Sequence, residues 1–126
     1  LPKVALKQLD IENLSWRGAD LKIVMEVANP NSFALDMAGL NYGVNLGGNR
    51  FAEGVYEKIP SVPANGASTI DIPLSVDFMK LGRSAYSLLK ENASQYELDG
   101  EMIFNLPKMG EKRLPFHKTG QIPLVR

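Results

Sequence analysis

Apolar and polar residues alternate with period two through most of the chain, as in strands that turn one face to a core and the other to water. From Leu21, the residues Leu21, Ile23, Met25 and Val27 share one phase against Lys22, Glu26 and Ala28, with Val24 the one apolar residue on the outer face. Phe33, Leu35 and Met37 continue that odd phase, whereas Leu40, Tyr42, Val44 and Leu46 take the even one. A change of face is therefore expected at Ala38 and Gly39, where glycine makes a bend cheap. The stretch "LGGNRF" from Leu46 to Phe51 reads as a hairpin turn joining strands near 39–46 and 50–57. Ile70, Ile72, Leu74 and Val76 alternate with Thr69, Asp71, Pro73 and Ser75; Pro73 has no N–H to donate, which points to an edge strand or to a Pro73 nitrogen facing solvent.

The period then changes. In "DFMKLGRSAYSLLKEN", Phe78, Leu81, Ala85, Leu88 and Leu89 fall on one stripe at helical spacing, with Asp77 available as N-cap, so one amphipathic helix is predicted from Asp77 to about Asn92. Its stripe is expected to dock on the strands; a lipid or client groove beside it, with Met79 and Tyr86 on a second line, is the sharper alternative. Strands carrying Leu98, Met102, Phe104 and Leu106, then Leu114, Phe116, Ile122 and Leu124, close the chain around the turn "PKMGEK". The first strand, "KVALKQLDIEN", slips in phase between Leu6 and Leu9. About seven short strands and one late helix predict a mainly β fold: a single domain over 1–126, an antiparallel immunoglobulin- or fibronectin-III-like β-sandwich with one inserted α-helix.

The triplet Asn29, Pro30, Asn31 interrupts the alternation. Pro30 fixes its own φ, removes a donor and pushes Asn29 into an extended conformation, so strand pairing must stop there. The side-chain oxygens of Asn29 and Asn31 are expected to accept bonds from nearby backbone amides, making a self-satisfied strand exit.

Composition narrows the function. A chain of 126 residues, 44% hydrophobic and 22% charged, is long enough to bury a core and is not of disordered type. Fourteen basic residues balance fourteen acidic ones, which leaves no basic footprint for nucleic acid and little electrostatic protection against weak self-association; a monomer or weak oligomer is expected. There are no cysteines, hence no disulfide, thiolate chemistry or cysteine-based zinc site. No apolar stretch approaches the roughly 20 residues of a membrane span.

Catalytic chemistry finds little support. The one histidine, His117, lies opposite in phase to Leu114 and Phe116 and should face water. The carboxylate pairs Asp10 with Glu12 and Asp99 with Glu101 stand two residues apart on outward strand faces, where they serve to solubilise a sheet. Ser84 and Ser87 have no nucleophile elbow around them, and "GG" and "NGA" read as turns rather than phosphate loops. Trp16, in "NLSWRGAD", is expected to fold back over one end of the sandwich rather than stand free as a contact surface. No cofactor, metal or catalytic residue is assigned.

The order "LKIVMEVANPNSFALDMAGLNYGVNLGGNRFAEG" closely resembles group 2 late embryogenesis abundant proteins, which carry the WHy (water stress and hypersensitive response) domain. The motif residues are Asn29, Pro30 and Asn31, then Phe33 with Leu35, Gly39 and Leu40 with Tyr42, and the hairpin from Phe51 to Gly54. The resemblance runs on through Asp77 to the closing strands. It implies a non-enzymatic domain protecting against desiccation, cold and water stress by stabilising client proteins or membranes through its folded surface. A lipid or hydrophobic-ligand carrier, with its site between helix and sheet, is the alternative. It further implies a bacterial member, lipoprotein-like and periplasmic or envelope-associated, with any export signal or anchor upstream of Leu1; a cytoplasmic location is the alternative.

Overall fold

The computed structural model describes residues 2–13, 15–46, 49–57, 59–79 and 95–121. Within them the chain forms seven strands: β1 (Lys3–Glu12), β2 (Gly18–Ala28), β3 (Asp36–Leu46), β4 (Asn49–Tyr56), β5 (Ala67–Asp77), β6 (Gln95–Leu106) and β7 (Gly110–Gln121). They build two antiparallel sheets, one ordered β1-β2-β5 and the other β4-β3-β6-β7.

The period-two pattern decides which faces meet. Ile23, Met25 and Val27 of β2 and Ile70, Ile72 and Leu74 of β5 point from one sheet into a core completed by Leu40, Val44, Leu98, Met102, Phe104 and Phe116 of the other. Along β5 burial alternates strictly from Thr69 to Val76. Each fully buried aliphatic side chain contributes about 1.5–3 kcal/mol relative to exposure, set against the entropy of ordering the chain.

Local irregularities fall where the phase breaks. The β1–β2 register shifts between Leu6 and Gln8, so Lys7 is the extra residue, and Leu6 and Leu9 both pack on the core. The β3–β6 register shifts between Met37 and Gly39, which leaves Ala38 unpaired and moves the buried set to the even positions. Gly39 is not demanded by space there, since a Cβ would meet Ile103 Cδ1 at an ordinary 3.9 Å. Pro73 sits opposite Lys22 on β5, an edge strand of its sheet.

One reading changes. Phe33 does not continue the core phase: it is 42% exposed, because the chain between Asn29 and Leu35 turns instead of running as a strand, and only Leu35 rejoins the ladder, in a bridge to Val62. The predicted helix falls mostly on 80–94, so Leu81, Ala85, Leu88 and Leu89 of its stripe, with Ser84, Tyr86 and Ser87, lie outside the described residues. Its first residues, Phe78 and Met79, have helical backbone, and Asp77 Oδ1 accepts the Met79 amide at 2.9 Å as an N-cap would. Phe78 is half-buried and donates its amide to the Arg17 carbonyl at 2.9 Å. Ile122 and Leu124 also lie outside the described residues.

Candidate functional site

The Asn29, Pro30, Asn31 triplet is a clamp built around one buried amide. Asn29 is 2% exposed. Its Nδ2 donates to the carbonyls of Phe33 at 2.8 Å, Pro63 at 3.1 Å and Val62 at 3.4 Å. Its Oδ1 accepts the Asn31 backbone amide at 3.0 Å, closing an Asx-turn. The backbone adds two more ties: Asn29 N donates to Gly66 O at 2.8 Å, and Asn65 N to Asn31 O at 2.9 Å. The loop before β5 is thereby stapled to the exit of β2. Asn31 plays a different part from the one expected: its side chain donates through Nδ2 to Asn29 Oδ1 at 3.0 Å, so Asn29 is the hub and Asn31 a satellite. Nothing local in the sequence announces Val62 and Pro63 as partners, which lie 33 and 34 residues away.

Gly39, Leu40, Tyr42 and Gly54 gather on β3 and β4 instead. Leu40 is core, and Tyr42 lies opposite Gly54 in the ladder. A Cβ at Gly54 would stand 2.7 Å from Tyr42 Oη, so the glycine exists to let that ring lie across β4. Burial pushes the Tyr42 phenol above its ordinary pKa. Among the described residues, these motif positions serve core packing and strand pairing.

An exposed apolar cluster lies at the other end of β2, roughly 35 Å away by strand length. Trp16 does not fold back over the sandwich; it is 75% exposed. The reason is local: Ser15 N donates to Gly18 O at 2.9 Å and Arg17 N to Ser15 Oγ at 3.2 Å, a turn tight enough to hold residues 16 and 17 at its tip. Gly18 closes this turn against β5, where any Cβ would run into the Val76 carbonyl. The Arg17 guanidinium stacks 4.9 Å from the Trp16 ring centroid. Beside it opens a cleft of about 420 Å³ lined by Trp16, Arg17, Asp20, Val76, Asp77 and Met79, the last 77% exposed. Asp20 is held ionised below the usual carboxylate range, first by the Asn13 amide and then by the Ser75 hydroxyl, each at 3.0 Å. The arrangement can bury apolar groups against an indole and a thioether on a preorganised turn.

The outward carboxylates are charge-paired across strands. Lys22 reaches Asp10 at 3.7 Å and Glu12 at 3.8 Å, Arg50 reaches Asp99 at 3.3 Å, and Arg113 reaches Glu101 at 3.6 Å. His117 faces water, as its phase implied, with Nε2 at 3.1 Å from Glu97 Oε2.

Comparison with known proteins places these features. The family model LEA_2, late embryogenesis abundant protein, matches residues 24–120. The desiccation protectant protein Lea14 homolog of Glycine max is 23% identical over 98% of this chain and 81% of its own length. Late embryogenesis abundant protein Lea14-A of Gossypium hirsutum is 23% identical over 98% of this chain and 82% of its own. The solution structure of an Arabidopsis thaliana protein superposes with a TM-score of 0.77 at 21% identity, over 96% of this chain and 80% of that one, a likeness of fold. The matched span begins inside β2, past Trp16, and takes in the Asn29 clamp and the β3–β4 motif. The chain belongs to the late embryogenesis abundant protein family LEA_2.

Proposed function

We propose that this chain is a non-enzymatic stress-protection domain that stabilises client proteins or membranes by contact through its folded surface, with the Trp16 end as a principal contact site. The observation that carries this reading is the exposed Trp16 ring, on a turn fixed by hydrogen bonds, sharing a cleft with exposed Met79. Apolar groups exposed together rather than singly mark interaction surfaces, and relatives spanning 98% of the chain are named for desiccation. The strand order β1-β2-β5 against β4-β3-β6-β7 supports reading the domain as a fibronectin-III-like sandwich of the WHy type. The test is a drying and rehydration assay on a dehydration-sensitive enzyme, with parent, Trp16→Ala and an unrelated globular protein at equal mass. Better recovery with the parent, reduced in Trp16→Ala, supports the proposal; parent and unrelated protein performing alike overturns it.

The second reading, a binder of lipid or another hydrophobic ligand, draws on the cleft, whose volume of about 420 Å³ lies in the range of small-molecule sites. Native mass spectrometry with and without lipid extract separates the two: a retained lipid favours the carrier, and an unliganded spectrum the protective domain.

A further inference from the structure

The chain contains a single Asn-Gly step, Asn65-Gly66, and the clamp encloses it. Asparagine before glycine is the chemically labile arrangement, because the following amide nitrogen meets no side chain as it approaches the asparagine carboxamide. Asn65 is exposed and holds a left-handed φ of 53°. The nitrogen that would attack is occupied: Gly66 N donates to Pro63 O at 3.1 Å, and Pro63 O also receives Asn29 Nδ2 at 3.1 Å. On either side the main chain is tied down, by Asn65 N to Asn31 O at 2.9 Å and by Asn29 N to Gly66 O at 2.8 Å.

We propose that Asn65 is a spontaneous modification site gated by the Asn29 clamp, protected while the clamp is closed and deamidated when it opens. In the reaction the Gly66 nitrogen bonds to Asn65 Cγ, and the side-chain nitrogen leaves as ammonia, carrying the proton given up by Gly66. Water then opens the resulting five-membered imide, to aspartate or to isoaspartate. No oxidant or cofactor enters. The isoaspartate product lengthens the main chain by one carbon between two anchored hydrogen bonds, so Asn65 N to Asn31 O and Asn29 N to Gly66 O cannot both be remade. A reversible opening thus becomes a permanent one, and the site records how long the clamp has been open.

The rate in the native state is the rate of the open chain multiplied by the open population. The experiment ages the parent protein at mildly alkaline pH, natively and in denaturant, and follows position 65 by peptide mapping with isoaspartate detection. Native deamidation at least about tenfold slower than in denaturant is expected, with the Asn29→Ala variant falling between, and with the aged native fraction melting below the fresh one. Equal rates in the two conditions would show no gating and overturn the proposal, as would an unfolded chain in which Asn65 does not react. If Asn29→Ala fails to fold, Asn31→Ala, which removes one bond of the clamp, takes its place in the series; a rate in that folded variant no higher than in the parent would equally overturn it.

Discussion

Replacing Asn29 by alanine removes the hub of the clamp, and the cost can be worked bond by bond. Val62 O keeps its bond from Leu35 N at 2.9 Å, and Pro63 O keeps that from Gly66 N at 3.1 Å. Left without their Asn29 partner are the Phe33 carbonyl and the Asn31 backbone amide, bonded at 2.8 Å and 3.0 Å in the parent, while the Asn31 Nδ2, bonded at 3.0 Å, can turn to water. A buried polar group deprived of its partner costs about 1–3 kcal/mol; with both groups near the surface, the low end applies, and the space vacated by the carboxamide adds to it. The expected loss is about 2–4 kcal/mol, or a fall in melting temperature of about 10 °C for a domain of this size. Asn31→Ala, which removes one partly exposed bond, should cost only about 0.5–1 kcal/mol. Urea titrations followed by circular dichroism read both as midpoint shifts at constant slope. Asn29→Asp sharpens the assignment: a carboxylate oxygen would face the carbonyls that Nδ2 now serves, in a site 2% exposed. Burial raises the folded-state pKa of such an acid, so the penalty should be full at neutral pH and shrink as pH falls through that raised pKa toward the unfolded value, where the protonated group can donate again. Asn29→Ala costing no more than Asn31→Ala, or Asn29→Asp matching the parent at neutral pH, would refute the reasoning.

Three further outcomes follow from the geometry. Gly54→Ala should destabilise by about 1–2 kcal/mol, because its Cβ would stand 2.7 Å from Tyr42 Oη; the loss should largely vanish in a Tyr42→Ala background, a coupling that a double-mutant cycle measures. Lys108 adopts φ 63° in the β6–β7 turn, where Met109 N donates to Leu106 O at 3.3 Å, so Lys108→Gly should gain about 0.5 kcal/mol after the entropy glycine costs, seen as a small rise in melting temperature. Because the Asp20 pKa is lowered in the folded state, first by Asn13 and then by Ser75, its contribution is present above the unfolded carboxylate pKa and is lost as pH falls through the lowered one; Asn13→Ala should flatten the acid limb of a stability-against-pH curve.

Strand content, the phase slip before Leu9, the change of face near Gly39 and the edge position of Pro73 were legible from residue order, since the pleat ties side-chain direction to sequence parity over a few residues. The motif residues were legible too, but their reasons were not. Gly54, expected only as a motif residue of the hairpin, proves to be the floor under Tyr42, and Gly100 is required because a Cβ would meet the Asn41 carbonyl of the neighbouring strand. Trp16 reads as a core-seeking residue by its chemistry, yet the short turn between Ser15 and Gly18 leaves it outside.

By itself, then, the amino-acid order determined which segments extend, which face of each strand is apolar and where strands stop, because these follow from backbone sterics and from alternation within a few neighbouring residues. Tertiary structure alone decided that β3 pairs with β6, that Asn29 finds two of its three acceptors beyond β4, and that the indole faces solvent. Those outcomes depend on packing and hydrogen-bond geometry between groups tens of residues apart, which no local pattern encodes.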